Sequence, residues 1–281
     1  MRLGVKVAML VAVLSAFGTQ VWADQKLKPE DRANIHVVGV LVELGDQAEI
    51  KHVAMTVFGN KTSQLPIADW GLNDLAMAEI QKALAEKYIV KPVPFDAVTM
   101  ATIRDQIREG KHINVPRLLR ALPASDIDAY LVLLPEDWSL PYPSNQLVYG
   151  LGVYHQSRLS LPGLSQTTES VIHVNYLCMI ESAKTMKSIG FEIGATADDD
   201  KPLLMQLLGS NEPVFPHSYL EGVIGWPIQA DALSDEQKTI IKNELSALII
   251  KSVDYTLGKV GLIDPLPAQS NKSGGAVSSE P

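Results

Sequence analysis

Apolar residues come in two rhythms along this chain. Ile35–Leu44 (IHVVGVLVEL) is a nearly unbroken apolar run of the kind that forms a buried strand. Ala129–Leu134 (AYLVLL) reads the same way. Ala48–Phe58 (AEIKHVAMTVF) is a further strand candidate, and Gly45-Asp46 between it and the first run suggests a tight hairpin. With Leu44 opposite Gln47, Gly39 faces His52 and His36 faces Met55, so His36 and His52 point to opposite sides of the sheet.

The helical rhythm appears elsewhere. Leu72, Leu75, Ala76, Ile80, Ala83 and Leu84 share one stripe, which predicts a helix capped by Asp69 and running to about Tyr88. Tyr88–Val93 follows as a short strand. Asp96 caps a second helix with Met100, Ile103 and Ile107 inward, and a third runs from Val115 to Leu122 between Asn114 and Pro123. Leu147–Gln156, Ser170–Glu181 and Ser188–Ile193 predict a meander of antiparallel strands. Asp198-Asp199-Asp200 opens a short helical piece ahead of Pro202. Ser234 and Gln237 form a capping box for a long helix whose core face is Ile241, Leu245, Leu248 and Ile249. The expected fold is α/β (or α+β), one domain with a mixed sheet, helices packed on it, an antiparallel meander and a long C-terminal helix.

The ends differ from the middle. Arg2 and Lys6 precede the eleven-residue apolar stretch Val7–Phe17, and Val21 and Ala23 suit signal peptidase, so residues 1–23 read as a signal peptide and Asp24 as the mature start. Residues 24–264 form the candidate domain, and 265–281, rich in Pro, Gly and Ser, a disordered tail. No other segment is apolar for long enough to span a bilayer, so a soluble mature chain, periplasmic or extracellular, is expected. Losing Arg2 and Lys6 takes the formal net charge from −8 to −10, which excludes nucleic acid as a non-specific partner. The lone Cys178 excludes a disulfide framework, and its place inside a strand excludes lipidation at the cleavage site.

The order of strands and helices resembles the family of exported bacterial domains typified by the curli-secretion lipoprotein CsgG, the TolB N-terminal domain and the penicillin-binding-protein activator LpoB. The residues that carry the likeness lie within 34–194: an N-terminal strand, the helix Leu72–Leu84, the strand Tyr88–Val93 and the helix Val98–Glu109. After them come the Asp-introduced strand Ile127-Asp128-Ala129-Tyr130-Leu131-Val132 and the turn Ile180-Glu181-Ser182-Ala183-Lys184-Thr185. The resemblance implies an α/β domain of the bacterial envelope. The missing lipidation Cys departs from it and argues against a membrane-anchored assembly role.

Candidate chemistry is sparse. His36, His52, His112, His155, His173 and His217 show no metal-ligand spacing, although His155 and His173 lie on strands that could be neighbours. Gly45-Asp46 is followed by Gln47 where a serine esterase needs its nucleophile, and Gly59-Asn60 by Lys61 where a phosphoesterase needs His. No phosphate or dinucleotide glycine motif occurs, and no cofactor is expected. The recognition candidates are Trp138, Tyr142 and Tyr149 on one Pro-stiffened loop and Phe215, Tyr219 and Trp226 on another. These features favour a non-catalytic binding or accessory module of the cell envelope, whose partner is an envelope protein or a small ligand. Two alternatives stand beside it: an envelope hydrolase built around Asp46, Asn60 and His155, and a periplasmic small-molecule-binding protein whose two aromatic loops close a cleft.

Overall fold

A strand that is apolar at every position needs cover on both faces, and Val37–Val42 (β1) obtains it. The computed structural model describes residues 26–54, 57–93, 95–109, 111, 113–122, 126–139, 147–160, 165–193, 217–219 and 227–264. The expectations for the signal segment, the Asp198–Asp200 piece, the C-terminal tail, Tyr142, Phe215 and Trp226 lie outside the described residues. β1 is the middle of three parallel strands, flanked by Ile89–Pro92 (β4) and Ala129–Pro135 (β5). Tyr176–Ser182 (β10) runs antiparallel to β5, and Ser188–Ile193 (β11) antiparallel to β10. Among the described residues this sheet has five strands in the order β11-β10-β5-β1-β4.

The residues of β5 divide between two cores according to the pleat. Ala129, Leu131 and Leu133 pack on one side with Leu72, Ala76, Ile80 and Leu84 of helix α2 (Leu72–Leu84) and Ile241, Leu245 and Ile249 of helix α5 (Asp235–Lys259). Tyr130, Val132 and Leu134 pack on the other with Ile103 and Ile107 of α3 (Ala97–Arg108) and Val115 and Leu119 of α4 (Val115–Arg120). Two of the expected caps are in place: Asp96 accepts from Thr99 N at 2.7 Å, and Ser234 and Gln237 complete the capping box; Asn114, the expected boundary of α4, caps it by accepting from Arg117 N at 3.1 Å. A five-residue helix, α1 (Pro29–Ala33), precedes β1.

The expected hairpin through Gly45-Asp46 does not form. β1 ends in the first sheet, with Glu43 N donating to Leu133 O at 3.0 Å. The chain then passes through Gly45, at φ 97°, into Gln47–Val53 (β2) of a second sheet. The physical reason lies in the two burial rhythms. β1 is covered on both faces, whereas β2 alternates, with Ala48, Ile50 and His52 inward and Glu49, Lys51 and Val53 half-buried, so β2 belongs to a sheet with one core face. β2 pairs with Lys61–Pro66 (β3) and, in parallel, with Leu151–Ser160 (β8); β8 pairs with Ser165–Val174 (β9), and β9 with His217–Tyr219 (β12). The second sheet has the order β12-β9-β8-β2-β3 among the described residues.

The other predicted boundaries move for equally local reasons. Asp69 sits in a 3₁₀ turn (Ala68–Trp70), and α2 starts after Gly71, whose φ of 71° separates the Asp69 carboxylate from the first helical turn. The helix ends at Leu84, four residues short of Tyr88. The antiparallel run is split: Ser170–Glu181 is broken at Asn175 into β9 and β10, one in each sheet, and Leu147–Gln156 at Gly150 into Leu147–Tyr149 (β7) and β8. β7 pairs with Asp137–Ser139 (β6) in a two-stranded ribbon. The α/β class, the mixing of parallel and antiparallel pairs and the long C-terminal helix are as the sequence predicts.

Gly152 lies between Glu49 and His173 in the second sheet, where a Cβ would collide with the Glu49 carbonyl and come within 2.8 Å of His173 Nε2. Gly152→Ala therefore prises β8 from β2, and urea unfolding should show a loss of about 3 kcal/mol.

Candidate functional site

Buried polar side chains gather at one end of the second sheet. The parallel register sets His52 beside His155, and the β8–β9 register sets His155 beside Ser170, all on the face that carries Ile50, Val153 and Ile172 into the core. His52 Nε2 lies 2.9 Å from Ser157 Oγ, and His155 Nδ1 lies 2.7 Å from Ser170 Oγ. His155 is wholly buried, and its Nε2 has no hydrogen-bond partner among the described residues. Burial, reinforced by the neighbouring His52, pushes the His155 pKa down to about 4. A neutral imidazole beside a serine hydroxyl is the pairing that activates a nucleophile. Here Ser157 and Ser170 are buried too, so the pairs stand in the core, away from solvent.

His173 does not meet His155. It pairs with Gly152 and projects from the opposite face, where its Nδ1 is within reach of Gly150 O at 3.2 Å and Asn175 Nδ2 at 3.1 Å. The trio Asp46, Asn60 and His155 does not assemble either. Asp46 precedes β2, and His52, level with His155, lies six residues farther along. At ~3.3 Å per residue the carboxylate and the imidazole stand ~20 Å apart, far beyond proton-transfer reach. Asp46 instead forms an ion pair with Arg108 of α3, which holds its carboxyl below the usual range. Asn60 Oδ1 accepts from Ala54 N at 3.0 Å, closing the turn between β2 and β3.

Three of the recognition candidates fall among the described residues. Trp138 pairs opposite Val148, and Asp137 opposite Tyr149, within the β6–β7 ribbon. Tyr149 is half-buried against the α3–α4 core, and burial with the nearby Glu136 and Asp137 carboxylates raises its phenol pKa. Tyr219 lies on β12, the edge of the second sheet, opposite Val171.

Two further constellations were not anticipated from the sequence. At the carboxyl end of β1, Glu43 is 1% exposed and accepts from Arg104 Nε at 2.9 Å and Asn73 Nδ2 at 3.1 Å, while Asn73 Oδ1 accepts from Leu44 N at 2.7 Å. The signal was a Glu ending an otherwise apolar strand. The second is an open cleft of about 600 Å³ between α1, the turn after α2 and the end of α5. Leu27, Ile35 and Tyr88 form its buried floor, and Lys26, Arg32 and Lys87 its rim. Asp264 reaches in from the side, 3.1 Å from Arg32 Nη2 and 2.6 Å from Lys87 Nζ, and Lys87 foremost, then Arg32, keeps its carboxyl below the usual range. Tyr88 OH accepts from Arg32 Nε at 3.4 Å and donates to Leu262 O at 3.0 Å, tying the rim to the chain after α5.

Because His155 stays neutral in the fold down to about pH 4, the unfolded chain alone takes up a proton as pH falls below 6.5. Its contribution is intact above 6.5 and lost as pH falls toward 4, by about 3 kcal/mol. Urea unfolding between pH 7.5 and 4 should show the natural protein losing about that much more than His155→Gln. Arg104→Met strands the Glu43 carboxylate in the core. Since nearly half of Arg104 is in water, the expected loss is about 2 kcal/mol, below that of a fully buried pair. Glu43→Gln, which removes the charge, should cost less in the same unfolding experiment.

No protein-family model matches the chain, and no curated protein matches it.

Proposed function

We propose that this protein is exported with loss of residues 1–23 and works in the periplasm or outside the cell as a non-catalytic binding or accessory module of the envelope. Its partner is an envelope protein or a small ligand. The observation that carries this reading is a division of labour. The side chains with catalytic potential, His52, His155, Ser157 and Ser170, are buried in the core, while an open concavity among the described residues has an apolar floor rimmed by three cations. A concave apolar surface with a few charges at its edge suits recognition. A hydrolase working through His155 would need substrate and water to reach an imidazole that has no exposed surface. Export draws support from Arg2, Lys6 and the apolar stretch Val7–Phe17. No helix among the described residues is long and apolar enough to cross a membrane. The resemblance of the sequence to the CsgG, TolB N-terminal and LpoB domains supports the same compartment.

Protein recovered from the periplasm of an expressing bacterium should begin at Asp24 on N-terminal sequencing; an unprocessed cytoplasmic chain would overturn the export reading. Crosslinking in intact envelopes should give an adduct that disappears in the double variant Arg32→Glu, Lys87→Glu and persists in Ser170→Ala. A hydrolytic activity lost on Ser170→Ala would replace the binding reading with the hydrolase.

A further inference from the structure

We propose that the cleft beside α1 binds a small dicarboxylate, and that Asp264 occupies one of its two carboxylate positions while the ligand is absent. The inference rests on the binding-module reading and specifies the chemistry of its site. One carboxylate position is visible directly: Asp264 Oδ1 meets Arg32 Nη2 at 3.1 Å, and Oδ2 meets Lys87 Nζ at 2.6 Å, a two-point clamp with one cation on each oxygen. The clamp is built to last, because the phenol of Tyr88, buried at 8% exposure, accepts from Arg32 and is itself fixed by donating to Leu262 O. Its present occupant is held loosely. Asp264 is 73% exposed, and its contacts are surface ion pairs, which contribute little and exchange readily.

A second anionic group is called for by charge. Lys26, Arg32 and Lys87 line the cleft, no Asp or Glu lines it among the described residues, and Asp264 neutralises one charge of the three. Lys26 has no carboxylate partner among the described residues. In a chain whose formal charge is −8, a concavity lined by three cations and, among the described residues, by no carboxylate is a local reversal of sign. Leu27 and Ile35 are buried in the floor of the same cleft and suit a short aliphatic spacer. The ligand that answers all of this is two carboxylates joined by a few methylenes. Phosphate, a compact tetrahedral anion, would satisfy the cations and leave the apolar floor uncovered.

Asp264 then acts as a tethered competitor. A ligand reaches the clamp only in molecules where Asp264 has left it, so apparent affinity is reduced by that fraction. Calorimetric titration of the processed protein with succinate, acetate and inorganic phosphate tests this. Succinate should bind with 1:1 stoichiometry and at least tenfold more tightly than acetate or phosphate. Asp264→Asn should tighten succinate about tenfold, and Lys87→Gln should weaken it at least tenfold. In the natural protein, methyl NMR signals of Leu27 and Ile35 should shift on succinate addition, a readout that needs no variant. Succinate affinity unchanged or weakened by Asp264→Asn, phosphate binding as tightly as succinate, or silent Leu27 and Ile35 methyls would each overturn the proposal. If the envelope adduct still depends on Arg32 and Lys87 while succinate fails, the binding module stands and the ligand class falls.

Discussion

Three peptide groups hold this architecture together where its two sheets meet. Gly150 N donates to Glu136 O at 3.1 Å, Asn175 N to Gly150 O at 2.9 Å, and Glu136 N to Asn175 O at 3.4 Å. Each lies where a strand leaves one sheet: β5 into the ribbon, the ribbon into β8, and β9 into β10. A peptide group buried without a partner is costly, and a junction of sheets is where ladders run out of partners. Closing the three groups on one another lets both sheets end in the interior. Gly150, at φ 55°, takes the bend that an L side chain would resist. The shared helical core follows from this junction: Ile50, Val153 and Ile172 of the second sheet and Val38, Leu131 and Cys178 of the first join α2 and α5 in one cluster.

Much of this was legible in the sequence, in patches. Helical periodicity identified the stripes of α2, α3 and α5, because their apolar faces pack against the core; side-chain caps mark the starts of α3 and α5, whereas α2 begins after Gly71 without one. The β1–β2 boundary misled because Gly-Asp between two apolar runs is a strong local hairpin signal, while pairing is decided by which faces need cover. The deciding difference, six apolar or glycine residues in β1 against the alternation of QAEIKHV in β2, was present but outweighed by the turn. Asn175 was invisible for a related reason. The strand before it and the strand after it are both buried and extended, and nothing local says that they belong to different sheets.

The polar residues follow the same logic. Single-residue arguments placed His155 among a hydrolase trio and allowed it to meet His173. Two long-range registers, β2 with β8 and β8 with β9, instead set it beside His52 and Ser170. Glu43, Asn73 and Arg104 lie 30 and 61 residues apart in the chain and become neighbours through the winding of α2 and α3 on opposite faces of the first sheet. Spacing rules find ligands on one helix or one hairpin; they have no access to clusters assembled by crossovers.

The cleft is the extreme case, since its parts come from both ends of the described fold. Leu27 N donates to Val260 O at 2.9 Å, bringing the residues before α1 against the end of α5, and the turn after α2 supplies Lys87 and Tyr88 between them. Arg32 and Lys87, which both reach the Asp264 carboxylate, repel one another, so their convergence is stabilised by the anion that sits between them. Asp264 supplies one carboxylate at the cost of ordering an exposed side chain, and among the described residues no carboxylate pairs with Lys26. A concavity whose own fold satisfies its charge only in part is poised toward an external anion, and the buried apolar floor restricts which anion gains most by entering.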